Sequence, residues 1–141
     1  MCAAARDEGL APIFFVAPTT TDARIRRAAS ASRGFLYAIG RFGVTGARTG
    51  IDARALEFLA RVRELVYLPV AVGFGLHTAD QVRAVLGTCD LAIAGSALVD
   101  CIHQATRVST DPLERAALAA GAARAFYARL AGGLPRPNGT P

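Results

Sequence analysis

Four short apolar segments, separated by stretches with helical periodicity, organise the chain. The apolar segments cover residues 11–18, 34–40, 68–75 and 90–96. Each is nearly continuous instead of alternating between apolar and polar residues, which is typical of parallel strands covered on both faces. The pattern therefore predicts four buried strands of a parallel sheet.

The stretches between and after these segments predict helices. Threonines that can cap a helix precede residues 21–32, and 52–65 carries apolar residues at helical spacing. Thr78 and Gln81 have capping-box spacing and open a helix that ends at Gly87. A short helix is predicted from about residue 97, and a last one runs to about residue 130 after an Asp-Pro start at 111–112.

Repeated β-α units with short connections predict a parallel α/β fold with right-handed crossovers. Two architectures fit: an open doubly wound sheet, or part of a (β/α)₈ barrel. A whole barrel takes eight strands and roughly 250 residues. This chain has 141 residues and four predicted strands, so the barrel alternative amounts to half a barrel.

The composition suits one domain that buries a core, since 52% of the residues are hydrophobic and 19% are charged. No apolar run has the length of a membrane span. Charged residues at 6–8 stand where a signal peptide carries its apolar region. Three cysteines without a close pair indicate neither a disulfide framework nor a zinc site. We expect a soluble, cytoplasmic protein without a metal.

The net charge of +5 comes from arginine alone, because the sequence contains no lysine. A Schiff-base lysine is therefore excluded, and with it imine-type carbon–carbon chemistry. The arginines are scattered and no aromatic-interleaved nucleic-acid motif accompanies them. We expect no nucleic-acid partner and no membrane partner.

Glycines follow three of the predicted strands, at the end of the sheet where parallel α/β folds bind ligands. The three stretches are Gly43–Gly46 around Thr45, Gly73–Gly75 around Phe74, and Gly95–Ser96. Glycine lets a ligand approach the backbone, and the N–H groups of a following helix attract an anion. The pattern favours a phosphate site, although such glycines can also simply permit tight turns.

Few other side chains are candidates for chemistry. Tyr37, within the second strand, is either a proton donor in a pocket or a core tyrosine. Phe74 suits an apolar pocket wall, and His77 is either a base or an exposed loop residue. No paired carboxylate follows a strand, because the aspartates at 22, 52, 80 and 111 fall where helices begin.

Four motifs together resemble the alpha subunit of tryptophan synthase, in the order and at the spacing of that family. They are "APIFFVAPTT", "RGFLYAIGRFGVTGART", "PVAVGFGLHTADQV" and "LAIAGSALVD". The family folds as a (β/α)₈ barrel and cleaves indole-3-glycerol phosphate to indole and glyceraldehyde 3-phosphate in tryptophan biosynthesis. The resemblance implies the C-terminal half of a TIM barrel over residues 1–131, with strands five to eight, and a disordered tail at 132–141.

The resemblance also implies roles for individual residues. The residues that correspond to the family's phosphate cradle are Gly46, Gly75, Gly95 and Ser96. Thr45 matches the threonine of a mobile loop, and Tyr37 matches a strand tyrosine near the substrate. Phe74 matches the phenylalanine that packs against the indole ring. The family's catalytic glutamate and aspartate lie in the second and third barrel elements, which this chain lacks. We expect the isolated chain to be inactive.

The implied partners are a phosphorylated ligand such as indole-3-glycerol phosphate and a tryptophan synthase beta subunit, which alone would carry pyridoxal phosphate. Half a barrel leaves two strand edges and an inner face open. We expect apolar side chains such as Phe14, Val16, Val70 and Val72 to meet water there. A complementing half or self-association would cover them.

Four functions remain open at this point. The chain is part of a lyase that works only with a complementing half, or a non-catalytic half barrel that binds a phosphorylated ligand or a beta subunit. A phosphate-binding enzyme with a flavodoxin-like open sheet is a third possibility. A basic nucleic-acid binder is the weakest of the four.

Overall fold

The computed structural model describes residues 2–40, 53–73 and 75–132. The strands are β1 (Phe15–Val16), β2 (Leu36–Ile39), β3 (Val70–Gly73) and β4 (Leu91–Ile93). The helices are α1 (Cys2–Asp7), α2 (Asp22–Ala31), α3 (Ala53–Leu65), α4 (Ala79–Leu86), α5 (Ser96–Thr106) and α6 (Pro112–Ala131). Each predicted apolar segment contains one strand, and each predicted helix is present.

The four strands form one parallel sheet in the order β1-β2-β3-β4. Neighbours in the chain are thus neighbours in the sheet. A doubly wound sheet reverses its strand order at a switch point, and this sheet has no reversal among the strands that the structure describes. The order agrees with an arc of a barrel, which confirms the half-barrel prediction over the open flavodoxin-like sheet.

The hydrophobic core lies between the sheet and the helices. The strand side chains that face it include Leu36, Ala38, Val70 and Val72, which are fully buried. The helices contribute residues on one face each: Ile25 from α2, Phe58, Leu59 and Val62 from α3, Val82 and Val85 from α4, and Phe126 and Leu130 from α6. One face of the sheet is therefore covered by helices.

In the part of the chain that the structure describes, the opposite face of the sheet is partly exposed, and its exposed residues differ from those expected. Val16, Val70 and Val72 are buried, and Phe14 packs against the core. The exposed apolar side chains are instead Ile13, Phe15 and Leu91, which are 38%, 60% and 43% exposed. Side chains alternate between the two faces of a strand, and a continuous apolar run does not show which alternate set faces the helices.

Local side-chain chemistry sets the starts of two helices, while a third lacks a side-chain cap. Thr78 and Gln81 form the predicted capping box at α4. The carboxylate of Asp111 accepts a hydrogen bond of 2.8 Å from the Glu114 N–H, which confirms it as the cap of α6. Thr21 occupies the capping position of α2 without a side-chain capping bond.

Side-chain hydrogen bonds from Arg61 and to Asp90 stabilise opposite ends of the sheet. At the carboxyl end, Arg61 of α3 donates to the Pro18 and Thr20 carbonyl oxygens at 3.1 and 3.2 Å, and so holds the loop after β1. At the amino end, the Asp90 carboxylate accepts from the Val70 N–H at 2.8 Å. Within residues 2–40, 53–73 and 75–132, no helix combines the length and the hydropathy needed to cross a bilayer.

Candidate functional site

The candidate site lies at the carboxyl end of the sheet. The strand register aligns Ile39, Gly73 and Ile93 in one row there. The segments that follow these residues therefore leave the sheet at the same edge. Four of the predicted site residues are described, namely Tyr37, Gly75, Gly95 and Ser96; Thr45, Gly46 and Phe74 lie outside the described residues.

Gly95 and Ser96 form the exposed start of α5, directly after β4. The first hydrogen bonds of this helix run from the Leu98 and Val99 N–H groups to the Gly95 carbonyl, at 3.0 and 3.1 Å. The N–H groups of Ser96 and Ala97 lie ahead of those bonds and point out of the helix end. Together with the helix dipole, they make this end suited to an anion.

The glycine at position 95 keeps this helix start open. A Cβ placed on Gly95 would have no other atom within 4 Å. Its backbone angles, φ −99° and ψ −68°, are accessible to other residues. Neither internal packing nor backbone strain therefore explains a glycine here.

Gly75 has a different physical role. Its φ of +80° lies in the left-handed region that disfavours side chains. The turn leads into α4, where the Gln81 side-chain oxygen accepts from the His77 and Thr78 N–H groups at 2.8 and 3.2 Å. These two N–H groups at the start of α4 thus have an acceptor within the chain. Their hydrogen bonds fix the loop that carries Gly75. His77 is an exposed loop residue, as one of its two interpretations predicts.

Tyr37 lies on the open face and not in the core between sheet and helices. Its ring is half-buried and packs against Phe15, with centroids 5.1 Å apart and planes tilted by 56°. The hydroxyl end extends over Gly73, since a Cβ on Gly73 would lie 2.8 Å from the Tyr37 Cζ and closer still to the hydroxyl oxygen. The Tyr37 hydroxyl therefore reaches the carboxyl end of β3.

The role of Gly73 in making room for Tyr37 was missed by the sequence analysis. A glycine inside a strand indicates that another group approaches the backbone closely. That signal is present at position 73, whereas the glycine pattern of the stretch predicts a ligand loop for Gly73 and Gly75 together. The structure separates them: Gly73 accommodates a tyrosine and Gly75 supplies a positive-φ turn.

The described strands carry no acidic residue. The nearest carboxylates at the carboxyl end belong to the first turns of helices, where Asp22 pairs with Arg61 at 3.4 Å and Asp80 pairs with Arg83. In the described part of the chain, no group of three His, Cys, Asp or Glu residues is placed to hold a metal ion. Among the described residues, the polar groups at this end of the sheet include the backbone N–H groups at the start of α5 and the hydroxyls of Ser96 and Tyr37.

The fold and the site together define the class of protein: an arc of a parallel α/β barrel with a helix start suited to an anion at its mouth. The family model described as tryptophan synthase alpha chain matches residues 1–127. The chain therefore belongs to the tryptophan synthase alpha chain family, as its motifs predict.

Similar proteins support the same assignment. The chain is 43% identical over 122 residues to the tryptophan synthase alpha chain of Leifsonia xyli, which covers 86% of this chain and 46% of that protein. It is 48% identical over 102 residues to that of Roseiflexus castenholzii, covering 72% of this chain and 39% of that protein. The chain thus spans less than half the length of these curated relatives.

Solved structures agree with the sequence comparison. A structure of the tryptophan synthase a2b2 complex from Pyrococcus furiosus aligns with a TM-score of 0.79 and 30% identity, over 93% of this chain and 49% of that chain. The aminoacrylate-bound tryptophan synthase from M. tuberculosis aligns with a TM-score of 0.67 and 30% identity, over 95% of this chain and 44% of that chain. The four strands correspond to part of a TIM barrel.

Proposed function

We propose that this chain supplies the phosphate-binding half of a lyase site of the tryptophan synthase alpha type, which acts in tryptophan biosynthesis. The observation that carries the proposal is the open start of α5 at Gly95 and Ser96 in a member of this family. Its ligand is indole-3-glycerol phosphate or a similar phosphorylated compound.

The phosphate group binds the N–H groups of Ser96 and Ala97, and the Ser96 hydroxyl donates a further hydrogen bond. The fixed loop at Gly75 contributes backbone from the neighbouring strand. The family resemblance assigns Thr45 and Gly46, which lie outside the described residues, to the same cradle. This arrangement needs no basic side chain, because backbone dipoles carry the interaction.

The apolar part of the ligand lies over the open face of the sheet. Tyr37 and Phe15 already form an aromatic pair there, next to the carboxyl end of β3. An indole ring can extend this pair, since aromatic rings favour tilted and offset contacts. The family resemblance assigns Phe74 to the same ring. The Tyr37 hydroxyl donates to or accepts from a polar group of the ligand.

Carbon–carbon cleavage requires proton transfers that the described strands do not provide. General acid or base catalysis contributes typically about 10²–10⁴-fold per group. Since the strands carry no carboxylate, a complementing half of the barrel supplies the acid and the base. A tryptophan synthase beta subunit, which holds pyridoxal phosphate, takes the released indole.

A second candidate is a non-catalytic module that binds a phosphorylated ligand. The absence of acidic residues from the four described strands favours it. An assay of indole release separates the two. In the lyase proposal, the chain alone releases no indole, and addition of the N-terminal half of the Leifsonia xyli alpha chain restores release. If binding is intact but no added half restores release, the module is favoured.

Binding itself is tested by titration calorimetry with indolepropanol phosphate and with glycerol phosphate. Ser96→Ala removes a hydrogen bond to a charged group, which contributes roughly 1.5–3 kcal/mol, so the dissociation constant should rise about tenfold or more. Ser30→Ala is the matched control, because Ser30 is an exposed serine of α2 whose hydroxyl donates to the Arg27 carbonyl. Equal affinities of the two variants, or no binding by the unmodified chain, contradict the proposal.

A further inference from the structure

The β1–α2 loop, residues 17–21, lies at the carboxyl end of the sheet, which is also the end of the candidate site. The loop closes into a turn, because the Thr20 N–H donates to the Ala17 carbonyl oxygen at 2.8 Å. The Ala17 N–H in turn donates to the Thr20 hydroxyl oxygen at 2.9 Å. The carbonyl groups of Pro18 and Thr20 accept hydrogen bonds from outside the loop.

Both carbonyl groups accept from one side chain of a neighbouring helix. The Nη2 group of Arg61, on α3, donates to the Pro18 and Thr20 oxygens at 3.1 and 3.2 Å. Its Nη1 group lies 3.4 Å from the Asp22 carboxylate at the start of α2. The guanidinium also lies 5.7 Å from the centre of the buried Phe58 ring of the same helix. Because a planar guanidinium holds several acceptors in a fixed geometry, Arg61 fastens the loop to α3.

The loop begins two residues after Phe15, whose ring forms the aromatic pair with Tyr37. Since Phe15 is 60% exposed, the position of its ring depends on the strand backbone more than on packing by helices. β1 is two residues long and pairs with β2 through Phe15 and Val16. The next fixed point along the chain is the turn that Arg61 holds. The contacts of Arg61 therefore help to set the carboxyl end of β1 and, with it, the ring of Phe15.

We propose that Arg61 is a positioning residue for the apolar end of the ligand. Through the β1–α2 loop it holds the Phe15 ring against Tyr37, without itself touching the ligand. The inference rests on the proposed function, which places an indole ring beside this aromatic pair. Because β1 and β4 are opposite edges of the described sheet, Arg61 acts on binding of the indole ring and leaves the phosphate site at the start of α5 unchanged.

Titration calorimetry with two ligands tests this separation. Arg61→Met removes the donors but keeps an unbranched side chain beside Phe58. The variant should bind indolepropanol phosphate roughly fivefold more weakly, which is the loss expected when one aromatic contact is loosened. Its affinity for glycerol phosphate, which has no ring, should stay unchanged. A purely structural role of Arg61 would weaken binding of both ligands alike or of neither.

Arg63→Met is the matched control. Arg63 lies on the same helix, and its side chain is 42% exposed compared with 40% for Arg61. It also pairs with an aspartate, but this partner, Asp90 at 2.8 Å, lies at the amino end of the sheet. Arg63→Met should therefore bind both ligands as the unmodified chain does. An equal loss in the Arg61 and Arg63 variants, or an equal loss for both ligands, overturns the proposal.

Thr20→Val provides a second route to the same loop. It removes the hydroxyl that accepts from the Ala17 N–H and leaves Arg61 in place. It should reproduce the selective loss of affinity for indolepropanol phosphate, including the case in which circular dichroism shows Arg61→Met to be unfolded. Unchanged affinity of a folded Thr20→Val for this ligand would contradict the proposed action through the loop.

A measurement without ligand separates this proposal from the proposed function. Nuclear Overhauser effects should connect the ring protons of Phe15 and Tyr37, whose centroids lie 5.1 Å apart. These effects should weaken in Arg61→Met and persist in Arg63→Met. If the unmodified chain binds neither ligand, the proposed function fails, while the ring contact still decides whether Arg61 positions Phe15. Ring contacts that persist in both Arg61→Met and Thr20→Val overturn the inference.

Discussion

The contact between Gly73 and Tyr37 predicts a stability effect that can be worked out from distances. In Gly73→Ala the new methyl group would lie 2.8 Å from the Tyr37 Cζ and 3.2 Å from the Ile93 carbonyl oxygen. The strand backbone cannot move freely, so the tyrosine ring must swing away and lose its contact with Phe15. Overpacking costs typically about 1–3 kcal/mol, and the aromatic contact contributes about 0.5–1.5 kcal/mol of that.

A double-mutant cycle measures this coupling by urea unfolding, followed by far-ultraviolet circular dichroism. Tyr37→Ala removes the obstacle, so the double variant should lose less free energy of unfolding than the two single variants add up to, by about 1 kcal/mol or more. Gly121→Ala is the control, because a Cβ there meets nothing within 4 Å and the helix should gain about 0.5–1 kcal/mol. Additive losses at positions 73 and 37 would refute the placement of the ring.

Three further predictions concern other parts of the molecule. Gly95→Ala should change the free energy of unfolding by less than about 0.5 kcal/mol, since the new Cβ meets no atom within 4 Å. The same variant should bind indolepropanol phosphate more weakly in calorimetry. A large loss of stability would contradict this prediction. Burial raises the pKa of the Cys89 thiol from 9.0 to about 11. The folded state therefore holds the thiol proton more tightly than the unfolded state does. The contribution of this proton to the free energy of unfolding is complete below pH 9 and is lost as the pH rises through 11. Urea unfolding of Cys89→Ala should lack this part of the pH dependence. Asp90→Ala removes the acceptor of the Val70 N–H and should cost about 1–3 kcal/mol in thermal or urea unfolding, whereas an unchanged midpoint would show that this bond contributes little.

Local signals in the sequence were sufficient for much of the fold. Continuous apolar runs predicted the strands and their parallel direction, and the Thr78–Gln81 and Asp111 patterns predicted two helix starts that the structure confirms. These features depend on neighbours within a few residues. The family motifs added the barrel origin of the four strands.

The side of the sheet that faces the helices could not be predicted in the same way. In a run such as residues 11–18 both alternate sets of side chains are apolar, so Phe14 and Phe15 are equivalent in pattern although only Phe14 packs against the core. The placement of the Tyr37 ring over Gly73 joins residues 36 positions apart and depends on strand register. The phosphate cradle remains a prediction at Thr45, Gly46 and Phe74, which lie outside the described residues.

The central claim is that backbone N–H groups at the start of α5 bind a phosphate. The most direct measurement is a nuclear magnetic resonance titration of the ¹⁵N-labelled chain with indolepropanol phosphate, with inorganic phosphate in a parallel series. Saturable shifts should appear at the amides of Ser96, Ala97 and Gly75. If those amides stay unchanged, or if shifts appear only near the arginines of α2, the phosphate lies elsewhere and the account is contradicted.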